Sequence, residues 1–283
     1  MRRIIDKYSI KDFLEGSISH FILISVSITC IFPLIWMFAS SLKTQQTIFK
    51  SMSLWPANPR WGNYIAAWTR GGFGTYFLNS IFYTVTVVGG LILISSLAAY
   101  AFSKLEFKGK DFIYYVFLAA MMIPIPGAFI ALYVLLVKLG LVNTRLGYIL
   151  PQINIGLSLA IYLLKTFFDE IPKEIEDSAM VDGCSSLGIW WHIAMPLAKP
   201  AIAVIAIFNT LAVWNEYILA MIILQDTSKM PLQRGLMIFQ GAHFTEYPLL
   251  MAGITITVVP VIVVYLFMQR YIIEGITSGA VKG

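Results

Sequence analysis

Charged residues are scarce in this sequence. They account for 12% of its 283 residues, whereas a soluble domain carries roughly 25%. Hydrophobic residues make up 58% of the chain, and the mean hydropathy is +0.78. This composition argues against an ordinary soluble protein and indicates a polytopic membrane protein.

Cysteine and histidine are also rare. Of the two cysteines, Cys30 lies in an apolar run and Cys184 in a polar loop, so no disulfide framework is expected. The three histidines are scattered, and their spacing matches no metal site. The net charge is +5, but no basic stripe with interleaved aromatic residues is present, so nucleic-acid binding is not expected.

The sequence lacks the signatures of an enzyme. No segment matches the phosphate-binding loop G-x-x-x-x-G-K-[ST], and no Ser/His/Asp or paired-carboxylate arrangement rises above chance. We therefore expect no catalytic residues and no cofactor in this chain. If ATP drives the protein, its hydrolysis must take place on another polypeptide.

Long uncharged runs are abundant. A membrane-crossing helix needs roughly 20 apolar residues, and helices are expected because lipid offers no partner to an open sheet edge. Six transmembrane helices are predicted, at 18–39, 76–102, 112–137, 147–165, 201–224 and 248–269. The first apolar run exceeds the roughly 7–15 residues of a signal-peptide core, so a retained helix is expected. The predicted fold is therefore all-α, with an N-terminal segment 1–17 and one transmembrane domain over 18–283.

Basic residues predict the orientation of these helices. Lysine and arginine concentrate before the first span and in the short loop after the second. The residues concerned are Arg2, Arg3, Lys7, Lys11, Lys104, Lys108 and Lys110. The positive-inside rule places both regions in the cytoplasm. With an even number of spans, both termini and the loop 166–200 are then also expected to be cytoplasmic.

The loop 166–200 contains residues that are typical of the beginnings and ends of two short helices. Pro172 suits the first turn of a helix, and Gly183 can end that helix in the left-handed conformation. Ser185 or Ser186 can cap a second helix, which Pro196 is expected to end. The loop is therefore predicted to form a helix–turn–helix pair that projects from the membrane.

The spacing within this loop resembles the EAA loop of ABC importer permeases. The family pattern is E-A-A, three residues, Gly, nine residues, Ile, one residue, Leu-Pro, and the matching positions are Asp177, Ser178, Ala179, Gly183, Ile193, Met195 and Pro196. Other matches to permeases of the maltose type are spread over most of the chain. They are Asn63-Tyr64, Asn79-Ser80, Ala99-Tyr100-Ala101-Phe102, Pro124, Leu141-Val142-Asn143-Thr144, Trp214-Asn215-Glu216 and the ending Gly279-Ala280-Val281-Lys282-Gly283.

The resemblance implies a type I ABC importer permease fold, in the shorter, six-helix partner of a permease pair. It implies a second, homologous permease subunit, a dimer of ABC ATPase subunits that binds ATP and Mg, and an extracytoplasmic solute-binding protein. Among the substrates of this family, di- and oligosaccharides dominate. The resemblance further implies a multi-pass protein of the bacterial plasma membrane, which forms half of the translocation path and is driven through its EAA loop.

The resemblance also assigns coupling residues to the loop. They are Glu176, Asp177, Ser178, Ala179, Asp182, Gly183, Ile193 and Pro196. Asp177 would offer a carboxylate to a basic group of the ATPase, and Gly183 would set the bend. Ile193 and Pro196 would seat the loop on its own membrane domain.

Polar residues within the spans have two interpretations. Glu216 lies ~22 Å along the fifth span at 1.5 Å per residue, where a carboxylate is costly and should face a cavity or the helix bundle. It could line a sugar path together with Asn209, Asn215, Gln152 and Asn154. The favoured interpretation is that these residues make inter-helix contacts. A different class of protein, an ion-coupled secondary transporter with Glu216 as its ion site, is the alternative.

Overall fold

The computed structural model describes residues 10–50, 53–122, 125–241 and 244–280. Within these ranges the chain is helical, and its only β-type pairing is an isolated bridge between Gln240 and Thr245, which confirms the predicted all-α class. The α-helices are α1 (Ile10–Ser41), α2 (Gly62–Thr69), α3 (Phe73–Lys104), α4 (Lys110–Ala120), α5 (Ile125–Lys138), α6 (Arg145–Asp169), α7 (Lys173–Val181), α8 (Ser186–Ile189), α9 (Met195–Leu197), α10 (Lys199–Trp214), α11 (Ile218–Ile223), α12 (Leu232–Gly235) and α13 (Tyr247–Ala280).

The chain divides into two compact units. The first comprises residues 1–70 and 239–256. Within it, the Asn63 side-chain amide donates to the Ser41 and Lys43 carbonyls at 2.7 and 3.0 Å, just beyond the end of α1. Arg70 pairs with Glu246. These contacts tie α2 and the segment before α13 into one body with the end of α1.

The second unit comprises residues 71–238 and 257–283 and is built around α3 and α6. The buried rings of Tyr83 and Tyr148 meet edge to face with centroids 4.6 Å apart. At Gly156 a Cβ would lie 2.4 Å from Asn209 Oδ1 and 2.9 Å from Leu91 Cδ2. Glycine is therefore required where α6 approaches its neighbours, as is common between membrane helices.

Large apolar side chains are exposed on several of the helices. Examples are Phe21 (72%), Phe112 (74%), Ile130 (80%) and Phe267 (75%). A water-soluble protein rarely exposes such a continuous apolar surface. Helices of this kind are stable when lipid or another membrane helix covers them.

Four single helices of the described chain are long and apolar enough to cross a membrane: Gly16–Ser41, Phe73–Lys104, Arg145–Asp169 and Tyr247–Gln269. They correspond to the predicted spans 18–39, 76–102, 147–165 and 248–269. A fifth candidate is a bent pair, Ser186–Leu197 with Lys199–Trp214, whose two parts meet at 76°.

The region 112–137 contains two helices. Helix α4 ends at Ala120 and α5 begins at Ile125. The sequence predicted a bend or unwinding here from Pro124 and Pro126; Pro124 lies outside the described residues, and Pro126 is in the first turn of α5, where a proline is tolerated.

The predicted single helix over 201–224 was wrong. Helix α10 ends at Trp214 and α11 begins at Ile218. The break has a local cause, because the Glu216 carboxylate accepts hydrogen bonds from the Leu219 and Ala220 amides at 2.6 and 3.1 Å. These amides open α11 and have no partner in a preceding turn, so the side chain starts a new helix.

Candidate functional site: the segment 173–197

The first half of the predicted coupling loop folds as expected. Helix α7 starts directly after Pro172 and ends at Val181. Gly183 follows with φ of +86°, and its amide donates to the Met180 carbonyl at 3.0 Å. The Cys184 amide donates to the Ala179 carbonyl at 2.9 Å, which completes the glycine-dependent ending of an α-helix.

The second half begins as predicted but ends later. The Ser185 hydroxyl accepts from the Gly188 amide at 3.2 Å and caps α8. A π-helical turn over Trp190–Ala194 follows, and the helix continues to Leu197. The expectation that Pro196 ends this helix was therefore wrong. A wider π turn precedes the proline and relieves the clash that its ring makes in a regular α-helix.

Most of the predicted coupling residues lie on the surface of this segment. Asp177, Ser178, Asp182, Gly183 and Pro196 are exposed, and Ile193 is half-buried. Ala179 is 7% exposed and faces the chain itself. Of the exposed members, Asp182 and Gly183 lie in the turn between α7 and α8, Asp177 and Ser178 lie on α7, and Pro196 lies apart from them in α9.

Glu176 differs from the expected surface position. Its side chain is buried, and Oε1 lies 2.6 Å from Nζ of Lys104, the last residue of α3. The same Nζ donates to the Ile171 carbonyl at 2.8 Å. Glu176 therefore binds the segment to its own membrane domain and does not present a carboxylate to a partner.

The segment also carries an apolar tip that was not predicted from the sequence, formed by Met180, Val181 and Leu187. These side chains are 53%, 88% and 66% exposed, respectively. Val181 comes five residues after the buried Glu176, roughly 140° around the helix, and so faces away from the protein. The presence of valine and methionine in an otherwise polar helix was the available signal.

The polar residues proposed for the spans do not form one cluster. Gln152 is buried, with its amide nitrogen unpaired, whereas Asn154 is exposed two positions later on α6. The Asn209 amide donates to the Ile205 carbonyl at 2.8 Å, and the Asn215 amide to the Leu211 carbonyl at 2.9 Å. The first bond lies within α10 and the second is at its end, and Asn215 Oδ1 also accepts from Gln233 Nε2 of α12 at 3.3 Å.

Glu216 has a structural role in this arrangement. Besides capping α11, its Oε2 accepts from the Tyr148 hydroxyl of α6 at 3.1 Å. We expect Glu216→Leu to leave the Leu219 and Ala220 amides unpaired and to destabilise the chain by about 1–3 kcal/mol. Glu216→Gln keeps one side-chain oxygen as an acceptor and should cost less.

Thermal unfolding of the purified complex in detergent checks this prediction. Asn215→Ala is the matched control, since this neighbouring side chain is exposed and should shift the midpoint little. An unchanged midpoint in Glu216→Leu would show that the cap contributes nothing.

A hydrogen-bonded network that was not predicted from the sequence holds the segment 224–232. The Asn79 amide of α3 donates to the Ser228 and Met230 carbonyls at 2.8 and 3.1 Å, and the Tyr83 hydroxyl donates to the Lys229 carbonyl at 2.7 Å. The Leu232 amide donates to Ser80 Oγ at 2.7 Å. Three residues of α3 thus determine the path of the segment after α11.

Asn143 supports the same segment from the other side. Its φ is +59°, a conformation that asparagine tolerates better than most residues. Its Oδ1 accepts from the Gln225 and Asp226 amides at 3.0 and 2.9 Å. Nearby, hydrogen bonds from the Ser228 hydroxyl and amide lower the pKa of Asp226 to about 2, so this carboxylate is ionised at neutral pH.

Fold and site together define a multi-pass helical membrane protein with a projecting helix–turn–helix. The chain belongs to the family of binding-protein-dependent transport system inner membrane components, whose model matches residues 91–278.

Individual relatives agree with this assignment. The chain is 35% identical over 252 residues to the probable ABC transporter permease protein YurM of Bacillus subtilis, covering 89% of this chain and 84% of that protein. It is 34% identical over 269 residues to the diacetylchitobiose uptake system permease protein NgcG of Streptomyces coelicolor, covering 94% and 89%. It is 33% identical over 264 residues to the trehalose/maltose transport system permease protein MalG of Thermococcus litoralis, covering 92% and 94%.

Solved structures share the fold. A chain of a bacterial ABC transporter involved in the import of the acidic polysaccharide alginate matches with a TM-score of 0.83 and 26% identity, covering 93% of this chain and 98% of that one. A second alginate transporter structure, in complex with its pentasaccharide-bound periplasmic protein, matches with a TM-score of 0.68 at 17% identity. This second likeness concerns the fold alone.

Proposed function

We propose that this chain is one of two permease subunits that together form the path of a di- or oligosaccharide through an ABC importer. Membership of the transport family supports the role of a permease. The carbohydrate class is supported by the relatives, because two of them are named for diacetylchitobiose uptake and trehalose/maltose transport. A transporter of alginate provides the structural likeness.

The exposed apolar tip supports the proposal that a separate ATPase subunit binds this segment. Val181 is 88% exposed at the turn where Asp177 and Asp182 are also exposed. An apolar centre with a charged rim is the composition of a protein interface. We infer that an ATPase subunit covers this tip and that Asp177 pairs with a basic group there.

Rigid-body movement of the docked segments would then couple ATP binding and hydrolysis to sugar transport. ATP and Mg bound to a pair of ATPase subunits would close that pair and displace the docked segments. The two permease subunits would respond by exposing their common path to one side of the membrane and then to the other. In this scheme the present chain contributes no catalytic residue and binds no cofactor.

An extracytoplasmic solute-binding protein would deliver the sugar. Its docking surface would include residues of the loops 40–74 and 225–247. The alternative of an ion-coupled secondary transporter has no support, since Glu216 uses both oxygens to accept hydrogen bonds from the amides at the start of α11.

Reconstitution with single components omitted tests the function. We expect sugar uptake into proteoliposomes to require this chain, the second permease, the ATPase and the binding protein. It should also require Mg-ATP on the side of the membrane that carries the ATPase. Dissipating the proton gradient should leave uptake unchanged. Uptake by this chain alone that stops when the gradient is removed would overturn the proposal.

A further inference from the structure

The C-terminal end of α3 and the first turn of α7 are joined by a buried ion pair. Glu176 Oε1 and Lys104 Nζ lie 2.6 Å apart, and the two side chains are 7% and 12% exposed. Both charges stand at favourable helix ends, because Lys104 is in the last turn of α3 and Glu176 is in the first turn of α7. A cation at a C-terminus and an anion at an N-terminus are each stabilised by the helix dipole.

Lys104 makes a second contact with the same region. Its Nζ donates to the Ile171 carbonyl at 2.8 Å, two residues before α7 begins. One residue earlier on α3, the Ser103 hydroxyl donates to Asp169 Oδ1 at 2.6 Å. The chain on either side of the α6–α7 connection is therefore bonded to the last two residues of α3.

The far end of α3 is also anchored. The helix has 32 residues and is ~48 Å long at 1.5 Å per residue, which exceeds the hydrocarbon thickness of a bilayer. Near its first turns, Asn79, Ser80 and Tyr83 hold the segment 228–232. One continuous helix thus links the base of the coupling segment to a loop near the opposite end of α3.

We propose that Lys104 and Glu176 are positioning residues that clamp α7 to α3, so that displacement of the docked segment moves α3 as part of the same rigid body. A buried ion pair suits this role because separating its partners leaves an uncompensated buried charge. Exposed pairs hold far more weakly. This inference rests on the proposed function, but it assigns Glu176 to force transmission inside the chain and not to contact with the ATPase.

The test uses the complete complex with its ATPase and binding protein, and the readout is sugar molecules transported per ATP hydrolysed. We expect Glu176→Gln and Lys104→Met each to lower this ratio about tenfold, a typical coupling strength, while the ATPase subunits still co-purify. The charge-swapped double variant, Lys104→Glu with Glu176→Lys, should recover part of the ratio. Glu106→Gln is the control, since its carboxylate is 92% exposed and pairs with Lys110 at 3.4 Å, and it should leave the ratio unchanged.

A distance measurement tests the rigid body directly, first with the ion pair intact and then with one variant of it. Spin labels at Leu97→Cys on α3 and Lys173→Cys on α7 would be introduced after replacing the exposed Cys30 and Cys184 by serine. We expect the label-to-label distance in the otherwise wild-type complex to be the same without nucleotide and in the vanadate-trapped state. Glu176→Asp, which keeps the charge but shortens the reach, should broaden the distribution.

Both the distance measurement and the transport measurement can overturn the proposed clamp. A wild-type distance that differs by several ångströms between the two states would overturn the clamp, even if the single variants fail to assemble. Unchanged transport per ATP in both single variants would also overturn it. Failure of the proposed function looks different, because the wild-type complex itself would then not couple ATP hydrolysis to sugar uptake.

Discussion

Gly183→Val will uncouple ATP hydrolysis from sugar uptake while the chain still inserts into the membrane. The residue has φ of +86°, and a Cβ added there would meet no atom within 4 Å. The penalty therefore comes from the backbone conformation alone, on the order of 1–3 kcal/mol for a strained residue. A β-branched residue is the least tolerant of this region, so the turn between α7 and α8 should rearrange and displace the apolar tip.

Gly183→Asn is the matched control for this prediction. Asparagine enters the left-handed region at little cost, and no neighbouring atom opposes its Cβ. We expect uptake close to wild type for Gly183→Asn and a drop of about tenfold or more in sugar transported per ATP for Gly183→Val. Normal uptake by the valine variant at normal abundance would contradict the assignment of 173–197 as the coupling segment.

Gly147→Ala will destabilise the folded chain by about 2 kcal/mol or more, through overpacking against the backbone. A Cβ at this position would lie 2.1 Å from the Leu141 carbonyl oxygen. That oxygen cannot easily move, since it accepts from the Thr144 hydroxyl at 2.7 Å and from the Thr144 amide at 3.3 Å. The Gly147 amide is itself held by Thr144 Oγ1 at 3.0 Å.

Gly89→Ala is the comparison that isolates this effect. Gly89 lies inside α3, and a Cβ there would meet nothing within 4 Å. Because alanine has the higher helix propensity, this variant should gain up to about 1 kcal/mol. The two substitutions add the same methyl group and should shift the thermal midpoint of the purified complex in opposite directions. A Gly147→Ala protein as stable as wild type would show that the start of α6 can rearrange.

The coupling segment shows how far local sequence rules reach. Gly183 was predicted correctly as a helix ending, and Ser185 is the cap of the two candidates, Ser185 and Ser186, because both roles depend on a few neighbouring residues. The end of the second helix was misplaced at Pro196, since a π turn just before the proline accommodates its ring. No spacing rule applied to the sequence indicated that turn.

Glu176 and Glu216 show what local rules miss. Both are acidic residues to which a contact with a partner or a solute could be assigned, yet each finds its own partner within the chain. Glu176 forms an ion pair with Lys104, which lies 72 positions earlier in the sequence. Glu216 caps a separate helix, although the sequence predicted that the apolar run around it forms one helix.

Charge scarcity and long apolar runs by themselves determined that this protein is an all-α membrane protein, because lipid leaves an exposed backbone no hydrogen-bond partner except within a helix. The EAA spacing in the same way predicted the place of the projecting helix pair α7 and α8. Only the tertiary structure decided which of its residues face outward and which are held inside. That division depends on contacts between distant helices, such as Glu176 of α7 with Lys104 of α3, and burial of a charge is stable only where such a partner is brought to it.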